Sequence, residues 1–176
     1  MPGRYLVTGV AGSGKTTLEK ELRQRGHITI DIDDGYAQWR RAGTDEVLAY
    51  TPDEEGWHEI AEWVVDTDKL QGFFDTHRHE TVLVCGSFAR QKEVVGMFDV
   101  IFLLEYPNEA VVRQRIAGRK GGYGEHPDEL ARILSYVEPY QERMKQAGAI
   151  AIDCTLPVGE IANQIVQRVH AESAQA

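Results

Sequence analysis

Apolar residues along the chain fall into short unbroken runs, separated by longer stretches in which they recur every three or four positions. The runs are Tyr5-Leu6-Val7-Thr8, His27-Ile28-Thr29-Ile30, Val82-Leu83-Val84-Cys85, Val100-Ile101-Phe102-Leu103-Leu104 and Ala149-Ile150-Ala151-Ile152. Continuous rather than alternating runs suit parallel strands covered on both faces. Leu18 and Leu22 predict a helix over 15–25, and Val111, Val112 and Ile116 predict one over 108–118. Pro127 opens a longer helix carrying Leu130, Ile133, Leu134, Val137 and Met144, and a closing helix spans 158–169. Thr51-Pro52-Asp53-Glu54 has a capping residue, a proline at the first helical position and a glutamate at the third. Trp57, Ile60, Ala61 and Val64 follow it at helical spacing. Strands alternating with helices predict βαβ units and an α/β fold with a doubly wound parallel sheet. The last residues, Glu172 to Ala176, are expected to fray.

The chain has 176 residues and neither internal repeat nor linker, which reads as one domain over 1–176. That length buries a core without disulfides or metals. A net charge of −9 argues against a nucleic-acid coat or an anionic-membrane binder, yet leaves room for a local basic pocket. Cys85 and Cys154 each sit in an apolar run and read as reduced core thiols. No apolar stretch reaches the roughly 18–20 residues that span a bilayer. The N-terminus runs directly into a strand without a signal peptide, so a cytoplasmic protein is expected.

Gly9-Val10-Ala11-Gly12-Ser13-Gly14-Lys15-Thr16 fits the pattern G-x-x-x-x-G-K-[ST], with a predicted strand before it and a helix after it. Glycines let successive backbone N–H groups converge on phosphate oxygens, and the helix that follows aims its positive end at the same anion. Lys15 would reach the outer phosphates, and the Thr16 hydroxyl would hold Mg²⁺. Gly9, Ala11, Gly12, Ser13, Gly14, Lys15, Thr16 and Thr17 are therefore candidate nucleotide-binding residues.

With this loop the chain resembles, over nearly its whole length, the small P-loop kinases: adenylate kinase, shikimate kinase, gluconate kinase and their relatives. Asp31-Ile32-Asp33 is similar to the D-x-D of shikimate kinase. Cys85-Gly86-Ser87-Phe88-Ala89-Arg90 is similar to the D-G-F-P-R segment of adenylate kinases. Arg113, Arg115 and Arg119 resemble the arginines leading into a lid. Ile152 to Val158, with Pro157, resembles the last strand and turn that pass beside the adenine. The resemblance implies a three-layer α/β/α P-loop NTPase fold with a five-stranded parallel sheet of order 2-3-1-4-5. It also implies an acceptor-covering segment at about 35–75 and a mobile lid at about 117–128. Two departures argue against AMP and shikimate as substrates. Cys85 stands where adenylate kinases have aspartate, and Gly86-Ser87-Phe88 replaces the triple glycine of shikimate kinase.

With no acid at position 85, Asp31 is assigned to the metal, through water, and Asp33 to the acceptor hydroxyl; the reverse assignment stays open. Asp34 is read as the N-cap of a helix over about 35–41. Arg119, in the basic glycine-rich stretch Arg119-Lys120-Gly121-Gly122, is the candidate lid cation. Arg115 lies one helical turn before it and can face the same site. Arg113 is offset and reads as solvent-exposed or ion-paired. Arg90 and Gly86 are acceptor candidates, with a surface salt bridge the alternative for Arg90. Lys15, Asp33, Arg115 and Arg119 are the catalytic candidates. All three tryptophans, with Tyr36 and Tyr50, fall between the second and third core strands, where at least half are expected to be core. His77-Arg78-His79 reads as a solvated loop rather than a metal site.

The expected activity is transfer of the γ-phosphoryl group from ATP, with Mg²⁺, to a small metabolite such as a nucleoside, a nucleotide, or a sugar or cyclic-polyol acid. A nucleotide-dependent switch is the alternative, but no N-K-x-D or D-x-x-G is present. A kinase of nucleic-acid ends is disfavoured by the charge. Base selectivity and oligomeric state are left open.

Overall fold

The computed structural model describes residues 2–51, 54, 56–118 and 127–175. In chain order the elements are β1 (Arg4–Thr8), α1 (Lys15–Gln24), β2 (Ile28–Asp31), β3 (Ala37–Arg41), α2 (Trp57–Ile60), β4 (Ala61–Val65), α3 (Thr67–Thr76) and β5 (Val82–Cys85). There follow α4 (Gln91–Val94) with a 3-10 turn (Val95–Met97), β6 (Val100–Glu105), α5 (Glu109–Ala117), α6 (Pro127–Gln146), β7 (Ile150–Asp153) and α7 (Val158–Gln175).

The five apolar runs form one parallel sheet in the order β2-β5-β1-β6-β7. Counted within that sheet alone, this is the expected 2-3-1-4-5. Side chains alternate between two cores: Tyr5 and Val7 of β1 face one, Leu6 the other. On β5, Leu83 and Cys85 face the first core, Val82 and Val84 the second. Burial on both faces is why these strands carry no polar alternation. Phe102 and Leu6, fully buried in opposite cores, each contribute roughly 1.5–3 kcal/mol of burial. The C-terminal ends of the strands (Thr8, Asp31, Cys85, Glu105 and Asp153) lie along one edge of the sheet, where α/β proteins place their ligands.

The segment between β2 and β5 departs from expectation. Residues 37–41 form a strand, not a helix capped by Asp34. Residues 61–65 form its antiparallel partner, so the helix read through Trp57, Ile60, Ala61 and Val64 stops at Ile60. Trp39 pairs directly with Trp63, and Arg40 with Glu62. Aromatic and β-branched residues favour such cross-strand pairs, and the pairing overrides a helical spacing that is coincidental. Pro52 and Asp53, of the expected cap, lie outside the described residues. Helix α3 was not signalled by the apolar pattern; Asp66 caps it by accepting the Lys69 N–H at 3.0 Å. Helix α7 continues to Gln175 rather than fraying from Glu172. Both cysteines are buried free thiols. Among the described residues no helix is long and apolar enough to cross a membrane.

Candidate functional site

Strand β1 ends at the buried Thr8 and hands the chain to the glycine-rich loop. Gly12 (φ 78°) and Gly14 (φ 99°) take left-handed angles that other residues resist, and these fold the loop back over the start of α1. Leu18 N–H donates to Gly14 O at 2.9 Å, so α1 begins where the loop ends. The Lys15 ammonium lies along the loop, donating to Gly9 O at 2.7 Å and to Val10 O at 3.1 Å. Ser13 Oγ is a buried hydroxyl with no hydrogen-bond partner.

The Thr16 hydroxyl donates to Asp31 Oδ2 at 2.8 Å, and the other oxygen of Asp31 accepts the Asp33 N–H at 3.1 Å. Asp31 is buried at the end of β2, whereas Asp33 lines the cavity. The Trp63 indole N–H donates to Asp33 Oδ1 at 3.0 Å. Burial, and then the nearby Asp31 carboxylate, push the Asp33 carboxyl above the ordinary aspartate range; Lys15 and the Trp63 N–H pull it back. Asp34 caps no helix, because residues 37–41 are a strand; its N–H closes a turn on Asp31 O at 3.0 Å. At Cys85 burial first, then Asp31 and Glu19, raise the thiol, so the strand end beside the acids presents a neutral group.

Arg115 sits against the loop: Nη1 donates to Ser13 O at 3.3 Å and Nη2 to Cys154 O at 2.6 Å. It thereby joins the loop to the turn after β7. Leu156 and Val158, flanking Pro157, form the cavity wall there. Arg113 pairs with Glu109 at 2.6 Å on the outer face of α5, as its offset implies. Arg119 and the rest of 119–126, most of the expected lid, lie outside the described residues.

Arg90 lines the cavity with its guanidinium already engaged. It donates to Glu62 Oε2 at 3.1 Å and Thr44 O at 2.5 Å, and approaches Asp45 Oδ1 at 3.4 Å. Both readings of this residue meet here: it borders the cavity and it forms the salt bridge. Gly86 has a different place from that expected. It is buried, and a Cβ there would come within 2.7 Å of the Ile32 side chain, so its role is to let β5 close on the chain leaving β2; the wall begins one residue later, at Ser87.

The loop from Val10 to Thr17, Asp33, Arg90 and Arg115 line one cavity of about 1440 Å³. Lys15, Thr16 and Arg115 stand at its loop end, and Asp33, Trp39, Glu62 and Trp63 at the end under the β3–β4 ribbon. Trp39 packs on Trp63, Trp57 and Tyr50 with ring centroids 5.1, 4.7 and 5.7 Å apart. Trp57 is buried behind the wall, while Trp39, Tyr50 and Trp63 border the cavity. Sequence reasoning missed the wall formed by Arg132, Tyr136, Tyr140 and Arg143 of α6. Their spacing of four, four and three residues is a one-face stripe that could have flagged them. Tyr140 is pushed up to about 12 by burial and shares a hydrogen bond with the Thr8 hydroxyl.

The loop suits an anion, having backbone amides, an ammonium and hydroxyls but no carboxylate within 9–16. The Thr16 hydroxyl beside the Asp31 carboxylate is an all-oxygen pair suited to a hard divalent cation that keeps several waters. Among the described residues no three His, Cys, Asp or Glu side chains cluster as a self-sufficient metal site. A cation held here would share its coordination with phosphate and water.

No protein-family model matches the chain, and no curated protein matches it in sequence. Solved structures do. A shikimate kinase from Acinetobacter baumannii, in complex with shikimate, superposes with a TM-score of 0.61 at 16% identity, covering 98% of this chain and 95% of that one. A sugar kinase from a Janibacter species gives 0.57 at 19% identity, covering 95% and 94%. A deoxyadenosine kinase from M. mycoides with bound dATP gives 0.52 at 14% identity, covering 95% and 99%. The chain thus has the small P-loop kinase-like fold.

Proposed function

We propose that the protein is an ATP-dependent phosphotransferase that moves the γ-phosphate of Mg·ATP to the hydroxyl of a small metabolite. The observation that carries this reading is the pair of acids beside the loop. Asp31 is tied to the Thr16 hydroxyl at 2.8 Å, while Asp33 stands in the same cavity with one oxygen fixed by Trp63 at 3.0 Å. One buried acid bonded to the threonine that ends the loop, and one cavity acid, are the two carboxylate roles that phosphoryl transfer needs.

In this reading the loop amides and Lys15 bind the triphosphate, and Thr16 and Asp31 hold the cation, Asp31 through water. Mg²⁺ supplies charge neutralisation on the phosphates. Asp33 orients the acceptor hydroxyl and takes its proton late. The acceptor oxygen bonds to the γ-phosphorus as the bond to the bridging β,γ-oxygen breaks, and ADP leaves. A loose transition state asks for position and charge rather than covalent chemistry, which is what Lys15 and a lid cation at Arg119 supply. Arg115 braces the loop against the turn after β7. Closure of residues 117–128 would keep water from competing as acceptor.

The test is ADP release from Mg·ATP by purified protein, alone and with a panel of nucleosides, polyols, sugar acids and amino-alcohols. A slow background raised by one small hydroxyl compound, and lost in folded Lys15→Ala, is the expected result. Turnover that no small molecule stimulates but a protein partner does contradicts the kinase reading in favour of a switch.

A further inference from the structure

Every carbonyl of the loop from Gly9 to Gly14 accepts a hydrogen bond from the protein. Lys15 reaches those of Gly9 and Val10, and the Ser13 N–H shares Val10 O at 3.2 Å. Arg115 Nη1 reaches Gly12 O at 3.5 Å and Ser13 O at 3.3 Å, and the Leu18 N–H takes Gly14 O. The carbonyl of Ala11, at the crest of the loop, is held from behind: the Tyr106 hydroxyl donates to it at 3.2 Å. Tyr106 is buried just past the end of β6, on the core side of the loop. A Cβ on Gly12 would come within 2.8 Å of the same hydroxyl oxygen, so Tyr106 packs directly against the Ala11–Gly12 peptide. Tyr106 is itself fixed by the buried Gln141 of α6, which brackets its backbone. Gln141 Oε1 accepts the Tyr106 N–H at 2.7 Å, and Nε2 donates to Tyr106 O at 3.3 Å. The residue before it, Tyr140, shares its hydrogen bond with the Thr8 hydroxyl at the root of the loop. Two consecutive residues of α6 thus hold the loop at its root and, through Tyr106, at its crest.

We infer that Tyr106 is a positioning residue for phosphate binding: its hydroxyl turns the Ala11 carbonyl toward the core, so that the Gly12 N–H faces the ligand. A trans peptide is planar and carries its C=O and its N–H on opposite sides. Holding the Ala11 carbonyl at Tyr106 therefore aims the Gly12 N–H away from the core, toward the cavity that Ala11 and Gly12 line. Gly12, at φ 78°, has no side chain to set this plane. Left free to rotate, the peptide would spend part of its time presenting an oxygen to the phosphate instead of a donor. An amide aimed before the ligand arrives needs no ordering when it does. Gln141 acts through Tyr106 and is likewise a positioning residue. The inference rests on the reading of the loop as a triphosphate site and adds the group that aims one of its donors.

Tyr106→Phe removes only the hydroxyl. Calorimetry compares it with wild type for two ligands, ATP and tripolyphosphate (which has neither base nor sugar), each with Mg²⁺. Both are expected to bind about three- to tenfold more weakly to the variant, and by the same factor, the scale of one net hydrogen bond. Gln141→Met, which removes the bracket on Tyr106, is expected to have the same effect. The double variant should bind no more weakly than the weaker single one, because both changes act through one contact. Nitrogen-15 spectra separate aiming from a general loosening of the loop. Tripolyphosphate should move the Gly12 amide strongly downfield in wild type and much less in Tyr106→Phe, while the Gly14 amide moves equally in both. A folded Tyr106→Phe protein that binds both ligands as tightly as wild type overturns the inference and leaves the triphosphate reading standing. A loss confined to ATP, or a change shared equally by the Gly12 and Gly14 amides, also overturns it. Wild-type protein that takes up neither ligand removes the triphosphate reading itself, and this inference with it.

Discussion

The hydroxyl of Thr16 donates to Oδ2 of Asp31 across 2.8 Å, tying the first turn of α1 to the C-terminal end of β2. Residues fifteen apart in sequence are thereby brought to one point at the foot of the loop. If this point is the cation site, Asp31→Asn should weaken Mg²⁺ affinity by about 10–100-fold, the range for an acid that acts through water. Calorimetry with ATP at varied Mg²⁺ measures it. An unaltered Mg²⁺ dependence in a folded Asp31→Asn protein would place the cation elsewhere.

Asp33 should behave differently from its neighbour. Asp33→Asn is expected to lower the turnover number by more than about tenfold, at or below the low end for general-base catalysis, with little change in ATP affinity. Loss of ATP binding instead would mean that the two acids have exchanged roles. The pH dependence has a definite sign. Burial and Asp31 hold the Asp33 carboxyl above the ordinary aspartate range, so acidification protonates it earlier than an exposed aspartate. The rate should fall on the acid side at a correspondingly higher pH, and Asp33→Asn should abolish that limb of the profile.

Gly86 gives a stability prediction that owes nothing to activity. A methyl group there would come 2.7 Å from Cβ of the fully buried Ile32. Gly86→Ala should cost about 1–3 kcal/mol, the scale of overpacking a core. Thermal or denaturant unfolding reads this directly, and wild-type stability would show that the strand ends are less tightly closed.

The two thiols should be inert in the folded protein. Burial raises both, Cys154 to about 11 and Cys85 further, so below pH 9 neither holds an appreciable thiolate fraction. Titration with a chromogenic disulfide at pH 8 should find no reactive thiol in the native state and two after denaturation. A native thiol that reacts at once would contradict the burial.

Much of the architecture was legible in the sequence because its signals were local and redundant. Each apolar run is short, unbroken and bounded, so β1, β5 and β6 fall where Tyr5, Val82 and Val100 place them. The loop from Gly9 to Thr16 carries its own punctuation. Asn108, whose side chain accepts the Val111 N–H at 3.2 Å, caps the helix expected there. The ribbon was illegible for the opposite reason. Trp39 and Trp63 become strand residues only through each other, across twenty-three intervening positions, and neither half shows a clean alternation. The same non-local pairing hid the bond from Trp63 to Asp33 and the hold of Glu62 on Arg90. The α6 stripe of Arg132, Tyr136 and Tyr140 was present in the spacing but had no cavity to point to until the sheet was assembled.

The most direct measurement is calorimetric titration of Mg·ATP into the folded wild-type protein and into Lys15→Ala. Saturable uptake by the first, lost or greatly weakened in the second, is the result expected of amides and an ammonium closing on a polyphosphate. No uptake of ATP or GTP by well-folded wild-type protein would contradict the account at its root.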